Sequence, residues 1–351
     1  MKKKVLELCL SPDLGGLELY MVRTSHFLKA FSVINLHGKL EQYYQNTDYE
    51  YEKIWRYSFL KLAHLIDDHD IDVIHVHWTK DIPIAVLAKL LSRKKPKLVQ
   101  TRNMRMTRFK DDFYHRFLYR NMDSMMAVTH QVKEQIEKFV PSDIRPKVEV
   151  IYMGAEKLLV LSDEEKYDLR LKIGLSDEFV VGIVGRIEDA KGQHLVLEAV
   201  KQINQTGIVA KALVVGHAMN EKYLADLKDQ YGDYAVFTGF TREAQKYMQL
   251  CDVLVLATEN ETFGLVVIEA MMCGICVVAS DSGGPLEIID DSVNGLLFKT
   301  KDVVDLSDKL SFLGRNSDQR LTLASAGQKK AMEKFDSTKQ FEKLANILEE
   351  L

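Results

Sequence analysis

The stretch Glu261-Thr-Phe-Gly-Leu-Val-Val-Ile-Glu269 places a Phe-Gly-Leu turn between two carboxylates, shortly after the apolar run 252–257. This pattern predicts a strand, a turn and then a helix. A helix that begins above a strand end directs backbone N–H groups at whatever lies there, which suits an anion such as a diphosphate. Were residues 261–269 all helical, the carboxylates would lie about 12 Å apart along the axis and could contact both sides of that ligand. The alternative is two surface glutamates on an ordinary amphipathic helix.

Length and composition indicate a globular protein of two domains. The chain has 351 residues, of which 46% are hydrophobic and 28% are charged. Its net charge of −4 excludes a generally basic nucleic-acid binder, so we expect no nucleic-acid partner. Residues 1–150 hold 25 Lys and Arg against 19 Asp and Glu, whereas the remainder holds 22 against 32. This asymmetry indicates that the first half of the chain meets an anionic ligand.

Hydropathy and cysteine usage favour a cytoplasmic protein. No apolar run approaches the roughly 20 residues that span a bilayer, and Glu7 interrupts the first apolar run, which predicts a strand and not a signal peptide. Cys9, Cys251, Cys273 and Cys276 lie in or beside apolar runs, as reduced and buried thiols do. Cys273 and Cys276 have C-x-x-C spacing but no second half and no histidine cluster, so we expect no zinc.

Apolar runs alternate with helical patterns along the whole chain. Such alternation indicates parallel sheets covered on both faces, and here it predicts an α/β fold with two Rossmann-like, doubly wound domains. We place the first domain at residues 1–158 and the second at 159–336, and we expect the helix 337–351 to pack back on the first. Predicted strands lie at 5–10, 73–77, 97–101, 124–128, 148–151, 179–185, 210–216, 235–238, 253–257 and 276–280.

Ligands of such sheets bind beyond the carboxyl ends of the strands, so the residues that follow each strand are the candidates for a site. Gly15 and Gly16 follow the first strand and allow close backbone approach, without the G-x-G-x-x-G pattern of a dinucleotide site. Arg186 and Lys191 leave another strand end on one short loop, where two cations can hold a diphosphate. Strand-end residues that could contact a nucleobase are Gly216, Gly239 and Phe240.

The strand ends carry six motifs, namely Gly15-Gly16-x-Glu18, the strand 72–77 with His75 and His77, Arg186…Lys191-Gly192, Gly239-Phe240, Glu261-x-Phe263-Gly264-x4-Glu269 and Gly283-Gly284-x2-Glu287. Together they resemble the retaining glycosyltransferases of family 4, also known as group 1 glycosyltransferases. The likeness covers nearly the whole chain and is densest in residues 179–298. It implies a GT-B fold, in which two Rossmann-like domains face each other across a cleft.

The resemblance also implies a site for a nucleotide-diphospho-sugar donor. By the family pattern, Arg186 and Lys191 grip the diphosphate, Glu261 bonds hydroxyls of the donor sugar, and Glu269 accepts from the ribose. UDP-sugars are favoured as donors and GDP-sugars come next. The remaining residues expected at the donor are Gly15, Gly16, Gly216, Gly239, Phe240, Thr262, Phe263, Gly264 and Leu265.

The family mechanism implies front-face displacement with retained anomeric configuration, in which the leaving phosphate takes the acceptor proton. It requires neither a metal nor another cofactor. The D-x-D spacings of Asp68, Asp70 and Asp72 would mark a metal site in the other main glycosyltransferase fold. Here they precede a strand, so we interpret them as loop residues.

The acceptor side is expected on the first domain, around Glu18, His77, Arg102 and Asn103. Many family members carry a histidine at the position of Asn103. An asparagine there can form hydrogen bonds but cannot be protonated, which leaves open a weakened or altered enzyme. His77, at the preceding strand end, is the other candidate to face the cleft.

Residues 102–120 combine arginines with an aromatic stripe at helical spacing, formed by Phe109, Phe113 and Phe117. The pattern suits the surface of an anionic membrane, and a core-facing helix with a solvated basic side is the alternative. We therefore expect a cell-surface saccharide, lipopolysaccharide or lipid-linked acceptor, handled in the cytoplasm or at the inner face of the cytoplasmic membrane. Two other functions stay open: a nucleotide-sugar epimerase of the same fold, and a non-catalytic nucleotide-sugar-binding protein.

Overall fold

The computed structural model describes residues 3–156 and 159–351, which form two compact units. One unit runs to Met153 and includes Thr338–Leu351, and the other is Gly154–Ser337. The division falls after Met153, five residues before the boundary predicted from the sequence.

A seven-stranded parallel sheet forms the centre of the first unit. Its strands are β1 (Val5–Cys9), β2 (Phe31–Asn35), β3 (Tyr51–Ile54), β4 (Val73–Val76), β5 (Lys97–Arg102), β6 (Ser124–Ala127) and β7 (Lys147–Val150). The strand order is β3-β2-β1-β4-β5-β6-β7. Strands β4 and β6 are buried along their whole length, because helices cover both faces of the sheet. The helices are α1 (Gly16–Leu28), α2 (Phe59–Asp68), α3 (Ile82–Leu91), α4 (Phe113–Arg120) and α5 (His130–Phe139).

The C-terminal helix α14 (Ser337–Glu350) joins the core of this first unit. Leu344 and Leu348 are buried in one cluster with Val73 and Val99 of the sheet. Burial of a leucine side chain contributes about 1.5–3 kcal/mol. These contacts therefore hold the end of the chain on the first domain.

A six-stranded parallel sheet forms the second unit. Its strands are β8 (Phe179–Val184), β9 (Ala210–Val215), β10 (Ala235–Gly239), β11 (Val253–Leu256), β12 (Cys276–Ser280) and β13 (Leu296–Phe298), in the order β10-β9-β8-β11-β12-β13. The helices are α6 (Asp163–Lys172), α7 (Gln193–Gln205), α8 (Glu221–Tyr231), α9 (Ala244–Met248), α10 (Leu265–Met272), α11 (Pro285–Ile288), α12 (Val303–Arg315) and α13 (Ser317–Lys334). Strands β11 and β12 are fully buried apolar runs, as expected for a sheet covered on both faces.

Helix α10 begins at Leu265, so Glu261 lies in the turn that the sequence predicts before this helix, and residues 261–269 are not one continuous helix. Residues 102–120 are not one helix either, since Arg102 ends a strand and the helix begins only at Phe113, where Asp112 caps it by accepting from His115 N. In both places the residues directly before the helix form a turn or a loop and do not extend the helix.

The sequence predicted structural roles for the aspartates of the D-x-D spacings and for the four cysteines. Lys94 pairs with Asp70 and Asp72 within the first unit. All four cysteines are free, and burial raises the pKa of the Cys276 thiol to about 12. Asp70 and Asp72 are thus held by an ion pair with Lys94, and the absence of a metal there stays a prediction.

Candidate active site

The strand order of the second domain defines the place where a ligand is expected. The chain proceeds from β8 outward to β9 on one side, and β11 and β12 lie on the other side. Between β8 and β11 the direction of winding reverses, and ligands of open α/β sheets bind at such a switch point. Lys191 follows β8 and Glu261 follows β11, so both residues lie at this point.

Lys191 and Glu261 form an ion pair across the switch point. The Lys191 Nζ donates to Glu261 Oε2 at 3.1 Å, and the side chains keep 28% and 21% of their accessible surface. Both groups are therefore held in place yet open to a ligand. A cation and a carboxylate side by side can serve a phosphate and a sugar hydroxyl respectively.

Arg186 lies on the same loop as Lys191 and adds a second cation. Its guanidinium is half exposed and pairs with Glu188 Oε1 at 3.0 Å. The Arg186 carbonyl accepts from Nε2 of the buried Gln193 at 2.8 Å, which fixes the loop backbone. The structure thus brings Arg186, Lys191 and Glu261 to one edge of the sheet, as the sequence predicted.

A glycine pair after β12 supports the turn that carries Glu261. Gly284 N donates to Glu261 O at 3.0 Å. A Cβ at Gly284 would lie 2.2 Å from Phe263 O, and one at Gly283, where φ is +71°, would lie 2.0 Å from Glu261 O. Any larger residue would displace this turn, so the glycines act by positioning Glu261.

The turn leads into helix α10 and orders the remaining predicted donor residues. Gly264 precedes the helix with φ of 99°, and Leu265 is its first residue. The Phe263 side chain is buried against Phe335, so only its backbone is available to a ligand. Glu269 is partly exposed, and its Oε1 lies 3.5 Å from Gln245 Nε2. Thr262 lies in the turn and is also partly exposed.

Gly216 and the β10 end complete this edge. A Cβ at Gly216 would lie 1.8 Å from Gly185 O, so its glycine is required by close packing of two strand ends. Gly216 N donates to Gly239 O at 3.0 Å. Phe240 is 61% exposed, and its ring lies 5.9 Å from that of His217. An exposed aromatic ring here can stack on a nucleobase.

In the first domain the reversal lies between β1 and β4, and the predicted glycines follow β1. Gly15 caps helix α1 and Gly16 is its first residue. A Cβ at Gly16 would meet no atom within 4 Å, so this turn has open space beside it. The Glu18 side chain is mostly buried and lies back toward Gly15, where its Oε2 would be 3.3 Å from a Cβ added to that glycine.

The sequence made His77 a candidate to face the cleft, but its side chain does not reach the surface of the first domain. Its side chain is fully buried and its Nε2 bonds to Glu7, while Glu7 also bonds His75 Nδ1 at 3.1 Å. The sequence missed Glu7, because only the parallel register of β1 and β4 places it opposite His75. Burial raises the pKa of Glu7, but the two histidines lower it to about 2 overall. Burial and then the charge of His75 lower the pKa of His77 to about 4.

These three side chains could also hold a metal ion, since their ligand atoms lie within 4.8 Å of one another. Hydrogen bonds join these side chains to one another and join His75 Nε2 to Thr101 Oγ1, and in this buried network only His77 Nδ1 has no partner among the described residues. We therefore interpret the group as part of the domain core.

Arg102 and Asn103 are adjacent in the sequence but differ in the hydrogen bonding of their side chains. Arg102 is buried and donates to Met104 O, Arg105 O and Thr79 Oγ1 at 2.8–3.0 Å. Its guanidinium therefore stabilises a loop and is not available as an acceptor-side cation. The Asn103 amide, by contrast, has neither its nitrogen nor its oxygen bonded within the described residues, although both atoms are shielded from solvent. Such an amide is suited to a ligand.

Two protein-family models match the chain. Glycosyl transferases group 1 matches residues 166–330, and Glycosyltransferase Family 4 matches residues 21–156, so the two span most of both domains. The chain belongs to glycosyltransferase family 4.

Full-length relatives of this family 4 member agree with the assignment. An uncharacterized glycosyltransferase of Methanocaldococcus jannaschii is 24% identical over 97% of this chain and 96% of its own. The capsular polysaccharide biosynthesis glycosyltransferase CapM of Staphylococcus aureus is 22% identical over 83% and 80%. The crystal structure of Anabaena HepE in complex with UDP-glucose superposes with a TM-score of 0.87 at 23% identity, over 99% of this chain and all of that one. The fold is therefore GT-B.

The aromatic stripe of this glycosyltransferase does not face the core. Phe109, Phe113 and Phe117 are 63%, 89% and 39% exposed, whereas Leu118 is buried. The core-facing interpretation is thus wrong for the three phenylalanines, and membrane binding stays a prediction. Within residues 3–156 and 159–351, no helix combines the length and hydropathy needed to cross a bilayer.

Several residues that stabilise the loops at this edge of the second sheet belong to no motif recognised in the sequence. They are Glu188, which pairs with Arg186, Gln193, which holds the loop backbone, and Ser280 and Ser282, whose hydroxyls donate to Thr258 O and Glu259 O at 2.6 Å. Ser280 is the last residue of β12 and the others follow strand ends, which is the one signal that could have selected them.

Proposed function

We propose that the protein is a metal-independent, retaining hexosyltransferase that moves a sugar from a nucleotide-diphospho-sugar to a cell-surface polysaccharide, lipopolysaccharide or lipid-linked acceptor. The ion pair between Lys191 and Glu261 at the switch point carries this proposal. It brings a phosphate-binding cation and a hydroxyl-binding carboxylate together at the place where a donor is expected.

A diphosphate between Arg186 and Lys191 would meet two positive charges on one loop. Charge develops on the leaving phosphate as the bond to the sugar breaks, and fixed cations stabilise that charge without reorganising. Glu261 would accept from sugar hydroxyls and hold the anomeric carbon in place. The exposed Phe240 ring and the backbone of the Gly216 and Gly239 turns suit the nucleobase.

The reaction balances with groups of the substrates alone. The bond between the anomeric carbon and the β-phosphate oxygen breaks, and the acceptor oxygen forms its bond on the same face of the sugar. The acceptor proton passes to the leaving phosphate. The side chains named here position the reactants and stabilise charge, so the proposal needs no catalytic metal.

UDP is the donor nucleotide we favour, with GDP next. The complex of HepE with UDP-glucose supports this choice, because its chain has the same fold over its whole length. The relationship to CapM supports a polysaccharide acceptor. The protein would then act in the cytoplasm or on the inner face of the membrane.

A donor panel in the presence of a chelator tests the proposal. Stabilisation of the native state by a bound ligand raises its thermal midpoint by mass action. UDP-sugars are expected to raise the midpoint and to release UDP slowly with EDTA present. A chain that turns over no UDP- or GDP-sugar, or does so only after Mg²⁺ is restored, would contradict it.

A further inference from the structure

A groove of about 520 Å³ opens on the first domain, between helices α3 and α4 and the segment that precedes α2. This volume lies in the range of small-molecule sites, about 300–1,000 Å³. Ile82, Ile84, Leu118 and Tyr119 line it with buried side chains and form an apolar floor. The floor suits hydrocarbon, since it offers little that could bond a polar ligand.

Four cations line the same groove, and no lining residue is a carboxylate. They are Arg56, Lys80, Arg108 and Lys110. None of the four pairs with a carboxylate within 4 Å in the described residues. The neighbouring Asp81 is buried and accepts from Leu10 N, and its charge acts on Arg56. The charge of Asp112 acts on Lys110 from beside the groove, so the four cations outnumber the two nearby carboxylates and the groove is positive overall.

Contacts hold these cations at the groove. Arg56 and Lys80 lie over the Trp78 ring, at 4.8 and 5.2 Å from its centroid. Lys110 Nζ lies 3.5 Å from His115 Nε2, and the other ring nitrogen of His115 bonds to Asp112. Burial, followed by the charge of Arg108, lowers the pKa of Lys110. An incoming anion would relieve this partly desolvated positive charge.

The two arginines of helix α4, unlike the four cations of the groove, pair with carboxylates. Arg116 pairs with Asp111 and with Asp143, and Arg120 also contacts Asp143. The positive charge predicted for residues 102–120 is thus paired with carboxylates at these two arginines, whereas Arg108 and Lys110 of the groove have no carboxylate within 4 Å among the described residues. This contrast distinguishes a ligand site from a generally basic surface.

Exposed apolar side chains surround the opening. Tyr57, Leu87 and Tyr114 line the groove and are 63%, 39% and 52% exposed, and the adjacent Phe113 is 89% exposed. A hydrocarbon chain that leaves the floor would continue along apolar surface. An aromatic rim beside cations also suits the interface of an anionic bilayer.

We propose that this groove binds a phosphorylated lipid, with its apolar chain on the floor and its phosphate or diphosphate among Arg56, Lys80, Arg108 and Lys110. The assignment of this lipid as the carrier of the sugar acceptor rests on the proposed function. The cations would bind the anionic head group, and the apolar floor would bind the hydrocarbon chain. We therefore expect neither part of the ligand alone to bind as tightly as the whole.

The two tryptophans of the chain, Trp55 and Trp78, both flank the Arg56 side of the groove, so intrinsic fluorescence reports on it. The full chain is titrated with farnesyl diphosphate, with farnesol and with inorganic diphosphate, and calorimetry checks each titration. Farnesyl diphosphate is expected to bind at least about tenfold more tightly than either of its parts. No donor is present, so a negative result here is separate from a failure to turn over nucleotide sugar.

Paired variants locate the ligand. Leu87→Glu, which places a negative charge in the groove, should abolish binding, whereas Leu91→Glu on the same helix, exposed and outside the groove, should not. Arg108→Ala with Lys110→Ala should weaken binding about tenfold or more, and Lys329→Ala in the second domain should leave it unchanged.

Three outcomes would overturn the proposal. Equal binding of inorganic diphosphate would mean a phosphate site only, and equal binding of farnesol would mean an apolar site only. Binding to anionic vesicles of phosphatidylglycerol without binding of the monomeric probe would assign the surface to the membrane and not to a single lipid.

Discussion

Lys191 and Glu261 lie 70 residues apart in the sequence, yet their side chains meet at 3.1 Å on two adjacent strand ends. An ion pair that is partly open to solvent contributes at most about 1 kcal/mol, so it opens at little cost. In the free protein, the cation that we propose for phosphate binding thus lies against the carboxylate that we propose for sugar binding. Donor binding would redirect both groups toward the ligand.

This pairing predicts that Glu261→Gln separates binding from turnover. Loss of the carboxylate leaves Lys191 without its counter-charge, so the affinity for UDP alone should stay unchanged or rise several-fold. Turnover of the UDP-sugar should fall by about a hundredfold or more, as when one preorganised group is removed from a reacting centre. Calorimetry with UDP and steady-state rates measure the two quantities.

Lys191→Ala should instead weaken both UDP binding and turnover. Lys309→Ala, which breaks the partly exposed pair with Asp305 at 3.6 Å on helix α12, is the matched control and should change neither. Equal loss of UDP affinity in Glu261→Gln and Lys191→Ala would show that the pair acts only as a structural unit.

Glu269 is predicted to act mainly in binding. It lies on helix α10 away from the turn that carries Glu261, and a carboxylate that accepts from ribose hydroxyls makes the same bonds before and during transfer. Glu269→Gln should therefore raise KM for the donor about tenfold and change kcat less. A variant with normal KM and a strongly reduced kcat would require the roles of Glu261 and Glu269 to be exchanged.

Substitutions at the neighbouring positions 102 and 103 should affect different quantities, namely thermal stability at Arg102 and activity at Asn103. Asn103 has no hydrogen bond within the described residues, so Asn103→Ala should lower activity about tenfold while the thermal midpoint changes little. Arg102→Ala removes three internal bonds and should lower the midpoint clearly. Asn103→His tests the alternative of a non-catalytic binder, which would predict turnover in the variant and none in the natural chain.

The buried network of Glu7 and His77 predicts acid sensitivity of the first domain. The pKa of His77 is lowered to about 4, whereas an unfolded histidine titrates near 6.5. The unfolded chain therefore takes up a proton that the folded chain does not, and stability falls as pH decreases from 6.5 to 4. The lowered pKa of Glu7, about 2, extends the loss from about 4.5 downward.

Urea unfolding at pH 7 and pH 5, followed by tryptophan fluorescence, measures this effect in the first domain, because both tryptophans lie there. His77→Gln should reduce the loss of unfolding free energy between the two pH values by up to about 2 kcal/mol. His64→Gln, at an exposed histidine of helix α2, is the control. An unchanged pH dependence in His77→Gln would refute the interpretation.

The sequence revealed most of the fold because strands buried on both faces appear as apolar runs. Strand β11, Val253-Leu-Val-Leu256, is such a run, and the prediction found it. Strand β3, Tyr51-Glu-Lys-Ile54, lies at the sheet edge, is mostly part-exposed and carries charges, so its pattern gave no signal. The three-residue strand β13 was too short to be recognised.

The positions of several candidate residues at the strand ends could be predicted from the sequence, but their contacts could not. Positions after strands identified Lys191 and Glu261, whereas their ion pair depends on β8 lying beside β11, which is a property of strand order. The burial of His77 likewise depends on the register that places Glu7 opposite His75. Long-range pairing of this kind is not encoded in the local pattern around either residue.

The most direct test of sugar transfer from a nucleotide donor at this edge is a proton NMR time course of UDP-glucose with the natural chain and with Glu261→Gln. We expect release of UDP by the natural chain, an initial product with the α-anomeric configuration of the donor, and almost no reaction in the variant. An inverted initial product, or an equal rate of UDP release by the variant, would contradict this expectation.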